Sequence, residues 1–274
     1  MVNNIMKTLY VSDLDGTLLG SDEKTSEFTN KIINDLVDEG MLFSYATARS
    51  FQTSHKVTRG LNARIPLIIY NGAMVVDNID GSFLIKNFFG NDIADLLNDL
   101  FENKVYPIVY SFIEGVEKFS YVHDKCTMGM QKFLDTRKND KRTNIVYNEN
   151  ELLNGEIFYI TCIDEREKLE PFFKKYKEKY HLVFQVDIYT QAQWLEIMPK
   201  NASKANAIKQ LKKKLGCERL VVFGDGKNDI DMFELADEAY AVENAVDELK
   251  EVATGIIQGN DEDGVARWLS KNFR

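Results

Sequence analysis

With 274 residues the chain can hold one large or two modest domains, and its 44% hydrophobic and 28% charged residues exclude a disordered chain. A net charge of -9 excludes a general binder of nucleic acid or anionic membrane, because both need basic surface to displace counterions or meet lipid headgroups. Cys126, Cys162 and Cys217 are far apart, no window is long enough for a membrane span, and Met1 to Lys7 lacks the apolar core of a signal peptide, which together predict a cytoplasmic protein with idle thiols.

In chain order, the apolar run Leu9 to Val11 predicts a buried strand that ends in Asp13-Leu14-Asp15-Gly16-Thr17, two carboxylates one residue apart followed by a turn-forming Gly. Ser26 to Glu39 has apolar residues at helical spacing (Phe28, Ile32, Ile33, Leu36, Val37) and Gly40 placed to end the helix. Met41 to Ala46 is a second apolar strand, so the segment predicts a right-handed parallel crossover unit. It delivers Thr47-Ala48-Arg49-Ser50 to the same sheet edge as Asp13. A further helix, Phe51 to Gly60, and strand, Ile65 to Tyr70, end in Asn71-Gly72-Ala73.

From about Ser82 the texture changes. Asn91 to Asn103 and Glu165 to Tyr180 predict helices, and Ile108 to Ile113, Lys118 to Val122, Glu156 to Ile163 and Leu182 to Asp187 predict strands with more alternation, as in a sheet exposed on one face. Asp135 to Asn144 is read as a polar loop. The doubly covered pattern is read as resuming near Trp194 to Met198. Ser203 then caps a helix to Leu215, with Gly216 beyond it. The strand Leu220 to Phe223 delivers Gly224-Asp225-Gly226-Lys227-Asn228-Asp229. Two short units follow, the strand Ala239 to Val242 with a helix to Val252, and Gly255 to Ile257 with a helix from Gly264 to Phe273. The expected domains are a core of 1–81 with 188–274 and an insert of 82–187.

Four strand ends therefore carry Asp13/Asp15, Thr47, Asn71 and Asp225/Asp229, and one helix start carries Lys204. In an open α/β sheet, ligands bind at the carboxyl edge. The set suits phosphoryl transfer, which needs an oxygen nucleophile, a divalent cation on hard oxygen ligands, donors for the non-bridging oxygens and an acid for the leaving alcohol. Each residue also has a plain alternative: Asp15-Gly16 and Asp225-Gly226 as turns, Thr47 as a strand-end hydroxyl, Asn244 as a helix cap. Lys204 has the alternative of a solvated first-turn lysine, but a cation at a helix start makes better sense beside an anion. His55, His123 and His181 lack metal-ligand spacing, and Lys212-Lys213-Lys214 reads as a solvated helix face.

Asp13 to Thr17, Thr47, Lys204 in Lys200-Asn201-Ala202-Ser203-Lys204, and Gly224 to Asp229 together resemble the four motifs of the haloacid dehalogenase superfamily of phosphatases, in its Cof-like branch. The resemblance runs to Gly259-Asn260-Asp261-Glu262-Asp263-Gly264-Val265. Two places depart from the family pattern: Thr47-Ala48-Arg49 where Thr-Gly-Arg is frequent, and Val242-Glu243-Asn244 where Met-Gly-Asn is frequent. The likeness implies a Rossmann-like parallel α/β core with an inserted α/β cap. It implies that Asp13 is the nucleophile, forming an aspartyl-phosphate, and Asp15 the acid and base, with a raised pKa favoured. Mg2+ would be bound by Asp13, Asp225 and the main-chain carbonyl of Asp15. Asn228 and Asp229 would complete that shell, and Thr47 and Lys204 would hold the phosphoryl group, with Arg49, Asn71 and Gly72 as substrate or shell residues. The implied substrates are small phosphorylated metabolites, sugar phosphates before pyridoxal phosphate or flavin mononucleotide. A phosphomutase of the same fold and a catalytically idle metabolite-binding regulator are the alternatives.

Overall fold

Leu9 and Val11 are wholly buried in the first strand, β1 (Thr8–Ser12), and with Tyr10 they sit in the middle of a parallel sheet. The computed structural model describes residues 6–62, 64, 66–187 and 191–273, which fall into two compact units, Met1–Lys86 with Ala202–Arg274, and Asn87–Asn201. After β1 comes α1 (Glu27–Asp38), whose first turn is closed by the Ser26 hydroxyl accepting from the Thr29 amide at 2.9 Å. β2 (Leu42–Tyr45) pairs with β1 in parallel, from Leu9↔Leu42 to Ser12↔Tyr45. α2 (Phe51–Val57) leads to β3 (Leu67–Ile69), joined to the sheet by one parallel bridge from Ala46 to Ile68. Ile65, the predicted start of this strand, lies outside the described residues. β4 (Met74–Val76) then pairs antiparallel with β3, and β5 (Phe83–Lys86) antiparallel with β4, a small sheet absent from the sequence reading.

The second unit contains α3 (Ile93–Glu102), β6 (Ile108–Ile113), β7 (Val116–Val122), α4 (Met128–Asp135), β8 (Thr143–Val146), β9 (Glu156–Ile163), α5 (Arg166–Tyr176), β10 (His181–Val186) and β11 (Gln193–Met198). Its sheet runs β10-β11-β9-β6-β7-β8, antiparallel except where β7 meets β8. α3 and α5 pack Leu96, Leu100, Leu169 and Phe172 onto Val109, Ile160 and Leu195. The chain returns to the first unit with α6 (Lys204–Leu215), β12 (Arg219–Gly224), α7 (Ile230–Leu235), β13 (Glu238–Val242), α8 (Asp247–Glu251), β14 (Gly255–Ile257) and α9 (Gly264–Asn272). The completed parallel sheet is β14-β13-β12-β1-β2. The chain order reverses beside β1, and such a switch point opens a crevice at the strands' carboxyl ends.

Three expectations are corrected. Trp194 to Met198 is not a parallel core strand: β11 pairs antiparallel with β9 and β10, and it is apolar because it is an interior strand of the second sheet. The unit boundaries accordingly fall at Lys86/Asn87 and Asn201/Ala202 rather than at 81/82 and 187/188, and position 188 lies outside the described residues. The second sheet does not simply alternate. β6 and β9 are buried nearly throughout, since the face away from α3 and α5 carries packed rings, with Tyr110 at 5.9 Å from Phe119 and 5.6 Å from Tyr159. Phe133 of α4 meets Trp194 edge-on at 5.3 Å on that face.

Candidate active site

The Asp13 amide donates to the Phe223 carbonyl at 2.9 Å, one step past the paired stretch of β1 and β12, so the two strand ends hold their loops side by side. Leu14–Leu18 forms one wide turn, closed by the Leu19 amide on the Leu14 carbonyl at 2.9 Å. Gly16 has φ 79°, and a Cβ there would lie 2.4 Å from Asp225 Oδ2, so the turn can press against the β12 loop only with glycine at this position. Thr17, itself buried, donates from Oγ1 to Asp225 Oδ1 at 2.8 Å.

Lys204 opens α6, where Ser203 caps the helix by accepting from the Asn206 amide. Its ammonium is buried, 2.5 Å from Asp13 Oδ1 and 2.7 Å from Asp229 Oδ1. Asp229 has no exposed surface, and its second oxygen accepts from the Asp225 and Gly226 amides, each at 3.1 Å. Oxygens of Asp13, Asp225 and Asp229 all lie within 4.8 Å of one another. Three carboxylates face one ammonium. Burial above all, then the neighbouring carboxylates, push the Asp13 carboxyl well above its ordinary range despite Lys204. The same two causes, burial and then Asp229, raise Asp225 to about 7. Burial works against the Lys204 charge, but Asp13 and Asp229 outweigh it and raise its pKa. All three directions follow from a buried cluster with more negative charge than Lys204 can balance.

That excess is the test for a metal. Three closely spaced, hard carboxylates against a single ammonium fit a divalent cation such as Mg2+, which would take the place of the protons that burial favours on Asp13 and Asp225. Asp15 stands apart from the cluster in one respect, for both its oxygens accept from Arg49, at 2.8 Å from Nε and 2.5 Å from Nη2. Arg49 also reaches Glu23 at 3.4 Å.

Thr47 is fully buried at the end of β2; its amide donates to the Ile68 carbonyl at 3.0 Å, and its hydroxyl accepts from the Arg49 amide at 3.1 Å. The Asn71 amide donates to the Thr47 carbonyl at 2.9 Å, which ties the third strand end to the second. Tyr70 and Asn71 both take left-handed backbone, at φ 52° and 51°. Gly72 follows at φ 93°, and a Cβ there would meet the Ser203 carbonyl at 2.2 Å, so this turn lies directly against the start of α6. Asn228 is half-buried in the Gly224 to Asp229 turn. The sequence reading gave Thr17 no role beyond its place in the first motif, passed over Glu23, and considered Asn244 both as a position of the family pattern and as a cap. The cap of α8 is instead the backbone at Val246. The Asn244 side chain donates to the Gly16 carbonyl at 2.7 Å.

A family model of the haloacid dehalogenase-like hydrolases matches residues 10–269. The chain belongs to that family. It is 28% identical over 275 residues to a Bacillus subtilis 5-amino-6-(5-phospho-D-ribitylamino)uracil phosphatase, YitU, covering 97% of each chain. A second phosphatase of the same description from that organism, YwtE, is 28% identical, with 97% of this chain and 98% of the relative covered. A haloacid dehalogenase-like hydrolase structure from Bacteroides thetaiotaomicron shares the fold, with TM-score 0.79 at 21% identity over 97% of this chain and all of that one. This member of the family is an enzyme. Among its described residues no helix is long and apolar enough to cross a membrane.

Proposed function

We propose that this phosphatase of the haloacid dehalogenase-like family hydrolyses small phosphorylated metabolites, sugar phosphates first, in a Mg2+-dependent reaction through an aspartyl-phosphate at Asp13. The observation that carries the reading is the buried cluster of Asp13, Asp225 and Asp229, whose charge Lys204 only partly balances. Asp13, Asp225 and the Asp15 carbonyl would hold the metal, with Asp229 anchoring Asp225 and Lys204 from behind. When bound, Mg2+ supplies charge neutralisation that lets a carboxylate approach a phosphate dianion.

The Asp13 carboxylate attacks phosphorus, forming an Oδ–P bond as the ester P–O bond breaks, and the leaving alkoxide takes a proton from the Asp15 carboxyl. Water then attacks the phosphorus, giving its proton to Asp15, and inorganic phosphate leaves with Asp13 regenerated. Lys204 and the Thr47 hydroxyl hold non-bridging oxygens. Arg49 donates to both Asp15 oxygens in this structure, so one of these bonds must open before Asp15 can carry the proton it delivers to the leaving group. Asn228, Arg49, Asn71 and Gly72 are read as shaping the phosphate side of the site. The inserted unit, by the family resemblance, is the cap that selects the leaving group.

The substrate of the two Bacillus relatives carries its phosphate on a ribityl chain, so it belongs on the test panel. Inorganic phosphate release is measured from sugar phosphates, that compound, nucleotides and cofactor phosphates, with Mg2+ and with chelator, for wild type and Asp13→Asn. Metal-dependent release abolished in the variant is the expected result. Isomer formation without phosphate release would replace hydrolysis by mutase chemistry, and no turnover of any compound by folded protein would overturn the reading.

A further inference from the structure

We infer that Asn244 and Asn260 are positioning residues for this reaction, clamping the turn that carries Asp13 and Asp15 from two loops distant in sequence; the inference rests on the phosphatase reading above. Asn244 follows β13, and its Nδ2 donates to the Gly16 carbonyl at 2.7 Å. Its Oδ1 accepts from the Asn260 main-chain amide at 3.1 Å. Asn260 follows β14, and its own Nδ2 donates to the Leu19 carbonyl at 2.8 Å. The four groups form one relay that takes hold of both ends of the Gly16 to Leu19 stretch.

Neither side chain serves its own element. α8 begins at Asp247 without a side-chain cap, and the turn Asn260–Glu262 is preceded by Gly259. What the relay fixes is the Gly16–Thr17 peptide, one residue beyond Asp15, and the Leu19 carbonyl that ends the turn. Gly16 already lies against Asp225, where a Cβ would come within 2.4 Å of Oδ2, and Thr17 donates to Asp225 Oδ1 at 2.8 Å, so turning the Gly16–Thr17 peptide disturbs the contacts that hold this turn against the β12 loop. Asn244 is the part that needs a side-chain amide: only a group with both a donor and an acceptor can bond a carbonyl and an N–H at once. Asn244 is exposed, so water can replace its bonds when they are lost, and the cost falls on orientation more than on folding.

The test uses Asn244→Ala, Asn244→Asp and Asn260→Asp, with p-nitrophenyl phosphate and the best substrate of the panel. Ala and Asp at position 244 remove the same donor, yet Asp adds a negative charge near the metal site and Ala does not, so a shared effect belongs to the donor. For all three variants kcat falls about tenfold, KM stays within about twofold, and Tm moves by no more than about 2 °C. Variants that keep wild-type kcat, or that lose kcat only in proportion to Tm, overturn the inference. Amide hydrogen exchange of the 13–19 segment reads the clamp without turnover. Faster exchange confined to that segment in Asn244→Ala is expected, and unchanged exchange overturns the inference even if the wild type proves inactive, an outcome that would count against the phosphatase reading separately.

Discussion

Replacing Lys204 by Met keeps most of the side-chain volume of α6's first residue while deleting the ammonium that touches Asp13 at 2.5 Å and Asp229 at 2.7 Å. Lys204 is 2% exposed and Asp229 wholly buried, so water cannot take over the lost contacts. Breaking a buried ion pair by removing one partner costs about 3–5 kcal/mol, because the remaining charge is left uncompensated. For a domain of this size, each kcal/mol moves Tm by about 2–4 °C, so the variant should melt about 10 °C below wild type in chelator near neutral pH. The proposed Mg2+ site exists only in the folded state, so Mg2+ should restore much of that loss, and more in the variant than in wild type. Acidification should restore it too, since protonating one carboxylate removes the same excess charge. Differential scanning calorimetry with chelator or Mg2+, at about pH 5.5 and 7.5, measures all three effects. A variant that melts with wild type in chelator at the higher pH would refute the argument, for it would mean that the cluster does not hold its charge in the folded protein.

The metal-free wild type should itself lose stability as pH rises. Asp225, lifted from 3.8 to about 7 by burial and Asp229, holds its proton in the folded state where the unfolded chain has released it. Folding therefore takes up a proton between those two values, and stability falls across that window as pH increases; Asp225→Asn should flatten the slope, as read from Tm against pH in chelator. Gly16→Ala should abolish most of the phosphatase activity, because a methyl at φ 79° meets Asp225 Oδ2 at 2.4 Å. Its stability should fall by about 1–3 kcal/mol, measured by urea unfolding, and an active, fully stable variant would show that the turn relaxes freely.

Much of this protein could be read from local pattern. A helix start is decided by a hydroxyl within three residues, so Ser203 marked α6 correctly, while α1 was read from its apolar spacing and Gly40, and Gly216 ends α6 in left-handed backbone at φ 65°. The strand runs before Asp13, Thr47 and Asp225 were legible for a related reason. A strand covered on both faces is mostly apolar, with only small buried hydroxyls such as Ser12 and Ser44 admitted, so it shows as an apolar run that ends where the functional loop begins.

That same signal misplaced β11. An interior strand covered on both faces reads alike whether its neighbours are parallel or antiparallel, and only its pairing with β9 and β10 assigns Gln193–Met198 to the second unit. α4 and β8 were missed because they are short elements flanking a polar segment, and their apolar residues, Met130, Phe133 and Val146, gain meaning only from the sheet they pack on. The site divides in the same way. Residue types at strand ends identified Asp13, Asp15, Thr47 and Asp225 as candidates without any coordinates. That Lys204 bridges Asp13 to Asp229, that Arg49 grips Asp15 by two bonds, and that Asn244 reaches back to Gly16 are contacts across long stretches of chain, created only when the crossovers bring separate loops to one edge of the sheet.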